Sequence, residues 1–126
     1  MFERSKGGER ALLILPKRHG VDFDAAASEF RELARSAGAE VVAECVARID
    51  KPHPALYIGT GKAEEAKELV QSAQADLVLV NHALTPIQER NLERLLETRV
   101  VDRAGLILDI FALRARSHEA KLQVEL

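Results

Sequence analysis

Tryptophan is missing from this chain, cysteine and methionine occur once each, and aromatic residues amount to 4% of its 126 positions. The lone cysteine, Cys45, rules out an internal disulfide, and its place in an alternating apolar stretch suits a packed thiol rather than a nucleophile. The histidines, His19, His53, His82 and His118, make no metal-ligand spacing with one another or with Cys45, so no metal site is expected. There is no G-x-S-x-G elbow and no paired-carboxylate signal, which leaves nothing to support an enzyme in its own right. No apolar run approaches the roughly 18 residues of a membrane span, and no apolar signal segment follows Met1-Phe2-Glu3-Arg4-Ser5-Lys6. A cytoplasmic protein without a membrane partner is expected. Charge of one sign is lacking too. Charged residues are 30% of the chain but the formal net charge is only -2, so any basic site must be local.

What is present is a chain with 47% hydrophobic residues, enough for one domain with a real core. Its most informative stretch is Tyr57-Ile58-Gly59-Thr60-Gly61-Lys62, followed at once by a helical run from Ala63 to Ala73. Glycines beside a lysine at a helix start give a tight turn whose free N–H groups sit near positive charge, the local chemistry of an anion site. The same pattern also opens many ordinary helices. It is not the nucleoside-triphosphate loop G-x-x-x-x-G-K-S/T, because Leu56 replaces the first glycine and Ala63 replaces the magnesium-holding hydroxyl. The dinucleotide pattern G-x-G-x-x-G fails as well, at Glu64.

Along the chain, Arg10 to Leu15 is a short apolar run stopped by Pro16, as for a strand buried on both faces of a parallel sheet. It leads into Lys17-Arg18-His19-Gly20, the most basic local cluster. Asp22 or Asp24 can cap a helix with Ala26, Phe30, Leu33, Ala34 and Ala37 on one face and Gly38 as its stop. From Glu40 to Ile49 the odd positions Val41, Ala43, Cys45, Ala47 and Ile49 are apolar, which predicts an edge strand with one covered face. Pro52 and Pro54 break it and force an extended loop before a helix with Ala63, Ala66, Val70 and Ala73 inward. Asp76 to Val80 is the best candidate for a central strand and ends at Asn81-His82. Thr85, Pro86 and Gln88 then supply an N-cap, a first-turn proline and a capping box. In that helix Leu92, Leu95 and Leu96 should be buried, with Arg90 and Asn91 solvated. Arg99 to Asp102 reads as a fourth strand leading into Arg103. From Ala104 onward helix is expected, with Leu106, Ile107, Ile110 and Phe111 on the sheet; after Arg116 the apolar face thins and the helix should project from the domain.

Alternating strands and helices predict an α/β fold: a four-stranded, mainly parallel sheet with helices on both faces and strand order 2-1-3-4. Direction reverses between the first and third strands, and ligands favour the crevice outside the strand ends at such a switch. Lys17, Arg18, Gly59, Gly61, Lys62, Asn81, His82 and Arg103 should converge there as a phosphate- or RNA-binding edge, led by Arg18 and Lys62.

The motifs Gly8-Glu9-Arg10-Ala11, Tyr57 to Lys62, Thr85 to Glu93, Val101-Asp102-Arg103, Leu106 to Ala115 and Lys121-Leu122-Gln123-Val124-Glu125-Leu126 cover nearly the whole chain in order. Together they resemble the N-terminal domain of HflX-type GTPases. Ala104 and Ala120 depart from that pattern, which commonly has Thr and Gly there. The resemblance implies a domain over residues 1–115, a helical linker beginning at 116–126, and a GTP-hydrolysing domain that this chain lacks. GTP and magnesium belong to that missing domain, so this chain is expected to hold no cofactor and neither to bind GTP tightly nor to hydrolyse it. Proteins of the family associate with the large ribosomal subunit and split or rescue ribosomes under stress. The implied partners are that subunit, its rRNA and the protein's own GTPase domain, while an exposed C-terminal helix leaves a second copy as a further candidate. A non-catalytic ribosome-docking domain is the leading expectation, and a small nucleotide- or ligand-binding regulatory domain is the alternative. Salt dependence separates them, because RNA backbone contacts weaken steeply with salt.

Overall fold

The computed structural model describes residues 9–125, with side chains through Ala115. Gly8, the side chains of Lys121 to Glu125, Leu126, and the packing of the segment expected to project after Arg116 lie outside the described residues. The elements run β1 (Arg10–Arg18), α1 (Phe23–Ser36), β2 (Glu40–Ile49), α2 (Thr60–Ala73), β3 (Leu77–Val80), α3 (Pro86–Leu96), β4 (Arg99–Asp102) and α4 (Arg103–Glu125). The four strands are all parallel in the order β2-β1-β3-β4, as the alternation predicts. Central strands covered on both faces should be continuously apolar, and Ala11 to Leu15 and Leu77 to Val80 are buried without a break.

Two cores result. On one face Leu12, Ile14, Cys45, Val78 and Val80 pack with Ala63, Ala66 and Val70 of α2 and Leu92 and Leu96 of α3. On the other, Leu13, Leu15, Leu77 and Leu79 meet Ala27, Phe30 and Ala34 of α1 and Leu106 and Ile110 of α4. Asp22 caps α1, accepting from the Ala25 N–H at 3.1 Å. The helix ends in a Schellman turn: Gly38 stands at φ 89, its N–H reaches Arg35 O at 2.9 Å, and the Ala39 N–H reaches Ala34 O at 3.0 Å. That tight exit starts β2 directly beside β1.

The structure corrects three sequence expectations. Pro16 does not stop β1, which continues to Arg18. The carbonyls of Arg10 and Ile14 accept from Asp76 and Asn81 on the β3 side, so by the two-residue alternation the Pro16 nitrogen also faces β3. There β3 has already ended at Val80, and no ladder bond is lost. The odd residues of β2 do not all share a face, because the pairing jumps from Ala11–Val41 to Leu12–Ala43. This bulge leaves Val42 extra and puts Val41 on the α1 side while Ala43, Cys45, Ala47 and Ile49 face α2. Finally, Leu106 and Ile110 pack on the sheet, but Phe111 is 63% exposed. It lies more than a full turn beyond Leu106, off the buried stripe.

Candidate functional site

Because all four strands are parallel, their C-terminal ends, and the starts of the helices that follow, lie at one rim. Register places Lys17 beside Arg48 and Arg18 beside Ile49. Lys17, Arg18, His19 and Gly20 line an open cleft of about 510 Å³ with Arg48 and Asp50. Arg48 and Asp50 pair loosely at 3.5 Å. Lys17 and Arg18 are exposed. The Lys17 Nζ lies 5.8 Å from the Phe23 ring centroid, and neither cation has an ion-pair partner among the described residues.

A second cleft, of about 280 Å³, opens between the ends of β1 and β3 at the predicted switch, lined by Pro16, Arg18, Glu29, Asn81, His82 and Arg103, among others. Arg103 donates to Glu29 Oε1 at 2.6 Å and to Asn81 Oδ1 at 3.0 Å. Its charge is therefore balanced within the fold, where it ties α4 to α1 and to the end of β3. Asn81 also anchors itself, its backbone N–H donating to Ile14 O at 3.1 Å and its Nδ2 to Ala26 O at 3.4 Å. Arg18, Asn81, His82 and Arg103 thus come together as the topology predicts, but Asn81 and Arg103 are already engaged with each other.

The start of α2 differs from its sequence reading. Gly59 is the N-cap at φ -66, ψ 157 and Gly61 lies in the first turn, so neither needs glycine's left-handed freedom. A Cβ at either would meet nothing within 4 Å. Lys62 lines neither cleft and pairs with Glu65 at 3.2 Å. That pairing holds the Glu65 carboxyl below its usual range, helped by the Cys45 thiol. Burial, and then Glu65, pushes the Cys45 thiol up to about 11, so it is inert as a nucleophile. Leu56 and Ala63 are buried in the core, and the residues here do not fit a triphosphate loop.

The left-handed residue is instead Tyr57, at φ 70. Reciprocal bonds with His53, of 3.0 and 2.8 Å, pin it. Its ring stacks on His82 with centroids 4.6 Å apart and planes 18° from parallel. The Tyr57 hydroxyl is buried without a partner among the described residues, and burial raises its pKa. The loop below is stitched to α3: Gln88 Nε2 donates to His53 O and Asn91 Nδ2 to Ala55 O, both at 3.0 Å. Asn91 is therefore a structural anchor rather than a solvated residue, because the extended loop turns a bare carbonyl toward α3. Neither Arg48 nor Tyr57 was among the rim residues expected from sequence, although Tyr57 opens the glycine stretch read there. Arg48 shows only through register, as the residue that falls beside Lys17. Among the described residues no cluster could hold a metal, and no helix is long and apolar enough to cross a membrane.

The family model described as GTP-binding GTPase N-terminal matches residues 24–112, from α1 into α4. The chain belongs to that family. Over its full length this HflX-type N-terminal domain is 50% identical to the GTPase HflX of Escherichia coli K12, 44% to that of Magnetococcus marinus and 48% to that of Caldanaerobacter subterraneus. It spans only 29–30% of the length of those relatives. Among solved structures it is similar to the SsGBP and GDP complex, at TM-score 0.67 and 28% identity over 93% of this chain and 33% of that one. A GTP-binding protein from Sulfolobus solfataricus in complex with GDP, 23% identical over 83% of this chain and 30% of its own, shares the fold at TM-score 0.63.

Proposed function

We propose that this domain docks its parent GTPase on the large ribosomal subunit, in the cytoplasm and under stress, by gripping rRNA phosphates at the ends of β1 and β2, and that it is non-catalytic by itself. The observation that carries the reading is the exposed pair Lys17 and Arg18, without counter-ions among the described residues and set beside Arg48. The formal net charge is -2, so this basic strip stands out against its surroundings, and cations that neutralise phosphates release counterions from RNA. Lys62 moves from the expected first rank to support, where Arg103 was already expected, since Glu65 and Glu29 balance them, and Lys17 rises from support to lead with Arg18. Residues 1–115 form the docking unit and 116–126 begin the linker to the GTPase domain, the source of GTP and magnesium chemistry. Leu108 and Phe111, exposed on α4, offer apolar surface to that linker or to a second copy.

Filter binding of large-subunit rRNA at two salt concentrations tests this. The Lys17→Gln/Arg18→Gln chain should bind more weakly across RNA sequences, with the salt slope smaller by about 0.7–0.9 for each phosphate it no longer neutralises. Its melting should match wild type to within about 0.5 kcal/mol, as for exposed charges elsewhere. Unchanged affinity in the folded double variant overturns the proposal.

A further inference from the structure

Phosphate gripping leaves the Tyr57–His82 stack unexplained. Tyr57 occupies a backbone conformation that side-chain-bearing residues rarely adopt, and such positions persist only where the surroundings over-determine them. Here His53, Gln88 and Asn91 do so. The result is a ring, only 2% exposed, fixed flat against His82. A bond of 2.8 Å between His82 Nδ1 and Ala83 O orients the imidazole. His82 is half-buried, and its remaining surface lines the cleft of about 280 Å³ that Arg18 also lines. That volume approaches the roughly 300–1,000 Å³ of small-ligand sites. An aromatic platform backed by a second ring, with a guanidinium that has no ion-pair partner among the described residues on the same wall, is the arrangement that holds unpaired bases by stacking and their backbone by charge.

We propose that this cleft takes one unstacked nucleotide of a single-stranded RNA segment, its base against His82 and its phosphate on Arg18; the inference rests on the docking reading above. Asn81, Glu29 and Arg103 are bonded to one another along the cleft wall. With those groups already engaged in the fold, the subsite takes its nucleotide by stacking and charge, and base identity should matter little.

The test uses a single-stranded RNA oligomer carrying 2-aminopurine, with a duplex of equal length as control. On wild type and His82→Phe the bound single strand should show stacking quench of the 2-aminopurine. On His82→Ala the quench disappears and single-strand affinity falls roughly fivefold to a hundredfold, with duplex affinity unchanged. If His82→Ala does not fold, the wild-type quench decides: a bound but unquenched oligomer overturns the subsite. Equal single-strand affinity in folded His82→Ala overturns it too, as does a free 5′-mononucleotide that displaces the oligomer at equal nucleotide concentration. If the oligomer binds unquenched and still responds to Lys17→Gln/Arg18→Gln, phosphate docking stands and the nucleotide subsite falls. No RNA binding by wild type removes both.

Discussion

The two helices that share one face of the sheet, α2 and α3, begin in opposite ways. In α3 the Gln88 N–H donates to Thr85 Oγ1 at 3.1 Å and the Thr85 N–H donates to Gln88 Oε1 at 3.0 Å. Gln88 then reaches on to the His53 carbonyl. In α2 the cap is Gly59, which has no side chain to offer. From sequence, the second helix start looks like the ligand site and the first like mere structure. The structure shows that an open helix start does not by itself make a site: the lysine that completes the α2 motif is drawn to a glutamate one turn along its own helix. Two cations with no ion-pair partner among the described residues, Lys17 and Arg18, lie instead where strand register sets them against the end of β2. What topology adds is Arg48, brought beside a basic run that is itself contiguous in the sequence.

The largest effect expected from breaking this contrast is at α3. Thr85→Val removes the cap oxygen while keeping the side-chain shape, and cap losses of this kind cost about 1–2 kcal/mol. Urea unfolding should show that loss at unchanged m-value. A change no larger than the roughly 0.5 kcal/mol of an ordinary surface site would make the two helix starts energetically alike.

Next in size is Tyr57, which joins the α2 approach to the strand ends. Its hydroxyl is buried with no partner among the described residues, and an unmet buried polar group costs about 1–3 kcal/mol. Tyr57→Phe keeps the ring against His82 and removes only that group, so it should raise stability by about 1 kcal/mol. A lower melting temperature would show that the hydroxyl is satisfied in solution and that the tyrosine is needed for more than its ring.

What could be read in the sequence follows the same division between local and non-local causes. The α/β class, the strand order and the α3 cap were legible because each depends on short-range pattern plus a handedness rule: apolar runs from Ala11 and Leu77, and Thr85-Pro86 with Gln88. Pro16 misled because its tolerance depends on where β3 stops, which no residue near Pro16 reveals. Val41 misled because a bulge changes the phase of a strand without changing its alternation. At the rim, Arg18, Asn81, His82 and Arg103 were gathered correctly by topology. The engagement of Arg103 was not legible, since Glu29 reaches it only in the folded chain, whereas the Lys62–Glu65 pair is a local i,i+3 spacing that the sequence reading passed over. Tyr57 was read only as the start of the glycine turn; its left-handed backbone was not legible, because nothing in a tyrosine marks one.

The smallest effect is the sharpest for the comparison. Gly59 holds an extended backbone, φ -66 and ψ 157, that any residue can adopt, and a Cβ there meets open space. Gly59→Ser therefore fits without strain and supplies the oxygen that α2 lacks. Serine exceeds glycine as an N-cap by only a few tenths of a kcal/mol, so the expected gain is about 0.3 kcal/mol, resolvable as a shift in urea midpoint between matched samples. Because the proposed phosphate contacts are Lys17 and Arg18, rRNA affinity should be the same in Gly59→Ser as in wild type. If that substitution instead stabilised the fold and weakened RNA binding together, the N–H groups of Thr60, Gly61 and Lys62 would be in use as phosphate donors. The local motif would then be a working site, and α2 and α3 would differ because one of them binds.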